Sequence, residues 1–198
     1  MSDDDQTDPL ADAFHGLSPF LEADDLAEPE HEAAPPDDVR RAFRRMCTGL
    51  AIITAAGPAG PVGFTASSVT TVTLDPPTLS FAISRVGHSW EGMHRTGHVG
   101  VHLLGAQDGD LARRFATSGV DRFAPPVRWR PGPFDVPLLD HGSASLVASV
   151  WRRLVIGDHD LVLARILRVQ VRRAADTERD LGPLAYYDGG YGTFSPVT

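Results

Sequence analysis

Two long apolar runs, Ser145 to Ile156 (SLVASVWRRLVI) and Leu161 to Val171 (LVLARILRVQV), stand either side of Gly157-Asp158-His159-Asp160. Rich in β-branched residues and joined by so short a loop, they predict a long antiparallel hairpin. Arg-rich apolar runs can also be helical, so a helix–turn–helix is the competing reading. The strand-and-turn pattern recurs along the chain. Leu50 to Ala55 is apolar and β-branched, Gly57-Pro58-Ala59-Gly60 is a turn, and Pro61 to Thr65 resumes the strand. Asp75-Pro76-Pro77 breaks the chain before Thr78 to Ile83, which reads as a buried strand. Val99 to Leu104 is another, and a last pair, Leu184 to Tyr187 and Tyr191 to Phe194, surrounds Gly189-Gly190. Helical patterns are few and short. Val39, Phe43 and Met46 form an apolar stripe behind Asp37-Asp38, with Gly49 as a stop. Ser89 to Arg95 and Asp108 to Ala116 follow, the latter with Leu111, Ala112 and Phe115 inward. Residues 121–140 hold five prolines and read as irregular loop. Six or more strands joined by turns, with two or three peripheral helices, predict a mainly antiparallel barrel or sandwich rather than a doubly wound parallel sheet.

Charge divides the chain. Residues 1–39 hold thirteen acids and no Lys or Arg, whereas residues 40–198 hold thirteen acids and eighteen Arg; Lys is absent throughout. The body is therefore only mildly basic, which argues against nucleic-acid binding. Residues 1–36, acidic and proline-bearing, read as a disordered tail that cannot bury enough apolar surface to offset its ordering entropy. Within it Leu10, Phe14, Leu17 and Leu21 fall on one helical face, either a docking segment or scattered apolar residues in a leader. Residues 37–198 then form one domain. The single cysteine, Cys47, excludes an internal disulfide and a cysteine-based zinc site. No run approaches a membrane span and the acidic start is not a secretory signal, so a cytoplasmic protein is the expectation.

Gly-x-Gly-x-x-Gly, a lysine-bearing phosphate loop and a Gly-x-Ser-x-Gly elbow are all missing. His94, His98 and His102 have helical spacing that would suit a metal. Gly97 and Gly100 interrupt the span, however, and Val99, Val101 and Leu103 alternate as in a strand, so those histidines should scatter. Residues 65–73 (TASSVTTVT) are six-ninths Ser/Thr. They suit extended structure or turns, and such a strand end can cradle a phosphate or simply present an exposed sheet face. Ser84-Arg85 and His88-Ser89 supply hydroxyls and a cation just after the buried strand.

Residues 63–90, GFTASSVTTVTLDPPTLSFAISRVGHSW, resemble the signature of the flavin-reductase-like, FMN-binding split-barrel family, which includes the small reductase components of two-component flavin monooxygenases. Phe43 to Thr54, Leu111 to Ala116 with Asp121-Arg122-Phe123, Trp129 to Gly132, Gly157-Asp158-His159, and Tyr187, Gly189 and Tyr191 are similar to further pieces of that family in order. The resemblance implies an antiparallel six-stranded split barrel (Greek key). It also implies hydride transfer from NADH or NADPH to FMN or FAD, a homodimer, and a monooxygenase partner that takes the reduced flavin. Under it Gly63, Phe64, Thr65, Ala66, Ser67 and Ser68 would line the flavin ring and ribityl chain. Ala82, Ser84, Arg85, His88 and Ser89 would hold the ribityl and phosphate, with Arg85 as the cation. His159 would reach the nicotinamide side, and Tyr191 would border the pocket. No catalytic acid or base and no metal are implied, because the cofactor carries the chemistry. Asp188 and Gly190 depart from the basic and polar residues common in the C-terminal loop. That departure favours the alternative of a flavin-binding module without turnover; a histidine metalloprotein is a third reading.

Overall fold

The computed structural model describes residues 20–21, 33–172 and 182–195. Among the described residues thirteen strands and three helices follow one another. The strands are β1 (Phe20–Leu21), β2 (Thr48–Gly49), β3 (Ala51–Gly57), β4 (Gly60–Ala66), β5 (Thr70–Leu74), β6 (Pro77–Ser84), β7 (His98–Leu103), β8 (Trp129–Pro131), β9 (Pro137–Leu139), β10 (Ala144–Ile156), β11 (His159–Val171), β12 (Leu184–Tyr187) and β13 (Gly190–Thr193). The helices are α1 (Pro36–Phe43), α2 (His88–Met93) and α3 (Gly109–Ala116), with a single 3-10 turn at Pro133–Asp135. Among the described residues no helix is long and apolar enough to cross a membrane.

The main sheet runs β4-β3-β7-β10-β11-β6-β5, antiparallel at every step. That is seven strands, not the expected six. The extra one is β5: the Thr-rich segment pairs with β6 as an edge strand, where β-branched threonines fit a pleated surface. The two ends of the path, β4 and β5, are consecutive in the chain and separated only by Ser67–Val69. The sheet must therefore curl until its ends approach. No ladder joins β4 to β5, so the pairing forms an open path rather than a closed barrel.

The long hairpin is strand, not helix–turn–helix. β10 and β11 pair from Ala144↔Val171 to Ile156↔His159 around Gly157-Asp158. Their neighbours are staggered, with β7 covering Ala144–Ser149 of β10 and β6 covering His159–Arg165 of β11. At the C-terminus β12 and β13 meet through Asp188 (φ 46°) and Gly189 (φ 84°). This left-handed pair is the turn that Asp-Gly sequences favour between strands. β8 and β9 form a short hairpin inside the proline-rich stretch expected to be irregular.

β3 explains why the core has two halves. Its residues Ala51, Ile53 and Ala55 face one cluster, with Phe81, Ile83, Val99, Val101, Val162 and Ala164. Leu50 and Ile52 face the other, under α3, with Leu111, Ala112, Phe115, Phe123 and Leu184. A strand covered on both faces reads as an unbroken apolar run, as LAIITA does. Ile52 and Ile53 are fully buried, each contributing about 1.5–3 kcal/mol of transfer free energy.

Two expectations change at the N-terminus. Phe20–Leu21 is extended and pairs parallel to β10, Phe20 opposite Arg153 and Leu21 opposite Leu154. Leu21 is therefore not on a helix face; Leu10, Phe14 and Leu17 lie outside the described residues. The α1 stripe exists but is unburied: Val39, Phe43 and Met46 are all exposed. The helix is supported by acid–base pairs three residues apart, Asp37–Arg40 and Asp38–Arg41.

Candidate functional site

A cavity of about 530 Å³ opens where β4, the end of β6, α2 and the C-terminal end of α3 converge. Its volume falls in the range of small-molecule sites, about 300–1,000 Å³. β4 supplies Phe64 and Thr65, β6 and the bend after it supply Ile83, Ser84, Val86 and Gly87, and α2 supplies Ser89 and Trp90. Phe115 and Ala116 come from α3, and Ser118, Gly119, Val120 and Arg122 from the loop beyond. A smaller hollow of about 230 Å³ continues it past Gly63, sharing Ser89, Val120 and Arg122.

Arg122 ties these walls together. Its Nη1 donates to Gly63 O (2.6 Å) and to Ser89 Oγ (2.5 Å). Its Nε and Nη2 donate to Thr117 O at 3.2 and 2.9 Å. One guanidinium thus spans β4, α2 and the end of α3. Burial lowers its pKa, an unfavourable setting for a cation that a bound anion would relieve. Thr65 Oγ1 donates to Ala112 O (2.7 Å), fixing α3 against β4. Gly63 permits the close approach: a Cβ there would stand 2.8 Å from Phe115 Cε1 and 2.9 Å from Ile53 O.

The other wall is braced by a buried carboxylate. Trp90 Nε1 donates to Asp160 Oδ2 (2.7 Å), and Arg85 Nε stands 3.5 Å from Asp160 Oδ1 with its guanidinium 5.4 Å from the Trp90 ring centroid. Asp160 Oδ1 is buried without a hydrogen-bond partner. Behind it Arg153 donates to Met93 O and Thr96 O, each at 3.1 Å. Burial lowers the Arg153 pKa, and the charge of Asp160 opposes that shift.

The residues singled out by sequence divide into three groups. Phe64, Thr65, Ser84 and Ser89 line the cavity. Several others surround it: Gly63 lies in the adjoining hollow, and Ala66 is buried in the core. Ser67 is exposed. Ser68 Oγ accepts from Ala82 N–H (2.9 Å), stitching the β4–β5 loop to β6. Arg85 turns to Asp160 instead of lining the cavity, and His88 begins α2. His159 is exposed, pairs with Asp158 across 2.7 Å and stands in register opposite Ser84, at the same end of the sheet as the cavity. Tyr191 does not reach the cavity within its own chain; it packs on Tyr186 and beneath Arg113. Trp90, Phe115, Ser118 and Arg122 were missed as site residues, although Trp90, Phe115 and Arg122 lie inside quoted motifs.

The three histidines are separated. His94 caps α2 and stacks on Trp90, and His98 stacks on Phe134. His102 is buried on β7. Thr54 Oγ1 donates to Pro137 O (2.7 Å), so it accepts from His102 Nε2–H at 3.2 Å, and His102 Nδ1 accepts from Ser145 Oγ at 3.2 Å. Burial pushes the His102 pKa down to about 4, so the ring is neutral at pH 7. No group of metal-ligating side chains occurs among the described residues. A hollow of about 560 Å³ on the far side contains Arg128, Arg130 and Arg172, but Arg128 and Arg172 already meet Asp140 at 3.4 and 3.2 Å.

The donor set of the first cavity fits a flat ring carrying an anionic tail. Phe64, Trp90 and Phe115 offer apolar aromatic surface, whereas Thr65, Ser84, Ser89 and Ser118 offer hydroxyls and Arg122 a cation. The comparisons agree. Residues 43–195 match the family described as flavin reductase like domain. The chain is 36% identical over 161 residues to an NADH:FMN oxidoreductase of Rhodococcus qingshengii, covering 81% of this chain and 82% of that protein. It is 28% identical over 161 residues to HsaB of Mycobacterium tuberculosis, the reductase subunit of a flavin-dependent monooxygenase, covering 81% and 83%. Its fold superposes with TM-score 0.75 on the crystal structure of a flavin reductase domain protein from Arthrobacter sp. FB24, at 33% identity, covering 82% of this chain and 97% of that one. A family match over most of the described body and a cavity of matching chemistry lead to one assignment: the chain belongs to the flavin reductase like domain family.

Proposed function

We propose that this protein is an NAD(P)H-dependent flavin reductase that moves hydride from NADH or NADPH to FMN or FAD and supplies reduced flavin to a partner monooxygenase. The observation that carries the reading is the convergence of aromatic walls, hydroxyls and the Arg122 guanidinium on one cavity. The relatives named above support it: one is an NADH:FMN oxidoreductase and another the reductase subunit of a monooxygenase.

When bound, flavin supplies the hydride-accepting ring. The chain's residues bind and orient. Phe64, Trp90 and Phe115 exclude water from the ring's surroundings, and Ser84, Ser89 and Ser118 donate to its polar tail, while Thr65, whose hydroxyl proton goes to Ala112 O, accepts from it. Arg122 neutralises the phosphate, with Arg85 as a second cation at the rim. Gly63, Ala66, Ser67, Ser68 and Ala82 fix the backbone beside the site, and His88 opens the helix that carries Ser89 and Trp90. His159, on the hairpin turn opposite Ser84, orients the nicotinamide. None of these groups has to transfer a proton for hydride to move, so positioning is the protein's contribution.

A homodimer would cover apolar residues left in solvent. Leu167, Val169 and Val171 stand on the part of β11 that reaches beyond β6, and Val72 and Leu74 on the edge strand β5. Closed two-fold assemblies are the commonest way to bury such faces. Residues 37–198 form the catalytic unit, its curled sheet being a split barrel. A reductase that consumes NAD(P)H works where that donor is held, in the cytoplasm.

The test is NAD(P)H oxidation by the purified protein with FMN or FAD added. Flavin-dependent oxidation of either nucleotide is the expected result. Tight flavin binding with no oxidation would select a binding module instead, and no flavin binding would remove the reading altogether.

A further inference from the structure

Asp160 stands where the strand pattern calls for an apolar side chain. On β11 it alternates inward with Val162 and Ala164, both part of the apolar core. In register it meets Ile83 of β6 and Val155 of β10, and it is only 4% exposed. Taking a carboxylate out of water costs free energy that a valine at the same place would not. Stability alone therefore does not account for it. What the carboxylate holds is a wall of the flavin cavity. The helix α2 is six residues long, with Gly87 as its N-cap and no side-chain cap, and so short a helix does not fix itself. The β10–β11 hairpin grips it at two points instead. Arg153 donates to Met93 O and Thr96 O at the helix's end, and Asp160 Oδ2 accepts from Trp90 Nε1–H at 2.7 Å. His94 stacks on the same indole, 4.4 Å between centroids and 15° from parallel. The ion pair with Arg85 is looser: its Nε stands 3.5 Å from Oδ1, which has no hydrogen-bond partner.

We propose that Asp160 is a positioning residue of the flavin site: its carboxylate fixes the Trp90 indole, and the indole seats the flavin ring. The inference rests on the flavin reading of the cavity, which Trp90 and Ile83 both line. It concerns the ring and not the phosphate, which Arg122 meets. Asp160 touches no ligand itself; it acts through Trp90, as a buried group that locks the rotamer of a wall residue.

The test compares riboflavin, which has no phosphate, with FMN, by quenching of flavin fluorescence on the full chain. Asp160→Val should raise both Kd values by the same factor, about three- to tenfold. Asp160→Asn keeps an acceptor of the same shape and should stay within about twofold of wild type. In a Trp90→Phe background, where the indole donor is gone, Asp160→Val should add less than about twofold. The ligand-free protein gives a second readout through its ¹⁵N-labelled indole N–H signals. Of the three tryptophans, only Trp90 should shift and lose exchange protection in Asp160→Val, by about tenfold, and Asp160→Asn should restore it. Should Asp160→Val not fold, Asp160→Asn and Trp90→Phe carry the test: the first should keep the Trp90 signal protected, and the second should weaken riboflavin and FMN by the same factor. A loss for FMN that spares riboflavin would mean that Asp160 acts through Arg85 on the phosphate. An undiminished loss in the Trp90→Phe background would mean that it supports the fold at large, and an unmoved Trp90 signal that other contacts hold the indole. Each overturns the proposal. A wild type that binds neither flavin, while its Trp90 signal still answers to Asp160, would instead remove the flavin reading and the ring-seating role with it.

Discussion

Arg122 offers the sharpest test of the site. It is half-buried, makes four hydrogen bonds to Gly63, Ser89 and Thr117, and lines the cavity. Replacing it with Ala removes the cavity's cation and unties three walls at once. A charge-assisted hydrogen bond contributes about 1.5–3 kcal/mol. The partly open setting of Arg122 places the flavin penalty toward the lower end, about 1.5–2 kcal/mol, a ten- to thirty-fold rise in Kd. Arg85 provides the internal contrast. Its guanidinium is engaged with Asp160 and Trp90 outside the cavity lining, so Arg85→Ala should raise Kd less, by about threefold. Arg122→Lys keeps the charge but not the planar fork that reaches three carbonyl and hydroxyl partners, and should recover only part of the loss. The assay is titration by quenching of flavin fluorescence, with a thermal melt of each variant to separate a loosened site from a loosened fold. Equal Kd for wild type and Arg122→Ala, with both folded, would refute the anion-site reasoning. A larger loss for Arg85→Ala would restore the sequence-based choice of cation.

Other outcomes follow from the same geometry. His102 has a folded-state pKa of about 4 against about 6.5 when unfolded. The unfolded chain therefore binds the proton first, and stability should fall by about 3 kcal/mol as pH drops from 6.5 through 4, with no change from this group above 6.5. Urea melts of wild type and His102→Gln across that range check it, the variant being expected to lose that part of the slope. Gly63→Ala should destabilise by about 1–3 kcal/mol, because one of the two clashes is with backbone, Ile53 O at 2.9 Å; a melt within about 0.5 kcal/mol of wild type would show that the α3–β4 contact yields. Trp90→Phe strips the buried Asp160 carboxylate of its hydrogen bond and should cost about 1–3 kcal/mol, read by chemical denaturation. His159→Ala should raise the KM for NAD(P)H while leaving flavin Kd unchanged, as steady-state kinetics with both ligands varied would show.

The parts of this molecule that the sequence exposes are those whose cause is local. Gly189-Gly190 marks a turn between the last two strands, and the structure places it one residue earlier, at Asp188-Gly189, where both residues have positive φ. LAIITA reads as a strand because it is apolar and β-branched, and the structure buries it on both faces. The long hairpin is legible for the same reason: β-branched runs and a two-residue loop are properties of neighbours. The cavity's cation is not local. Arg85 has the right company in sequence, two residues before a glycine and between hydroxyls, yet Asp160 arrives from a strand more than seventy positions away and takes it. Arg122 lies inside a quoted motif, Asp121-Arg122-Phe123, but nothing in that motif marks it as an anion partner. It becomes the cavity's cation because Gly63, fifty-nine positions upstream, and Ser89, thirty-three positions upstream, are brought to it by the curl of the sheet and the packing of α3. A composition argument counts both arginines alike; only the fold decides which one has its charge spoken for. The seventh strand has the same origin. TTVTL reads equally well as loop or strand, and what settles it is the free edge of β6 that long-range pairing of β6 with β11 creates beside it.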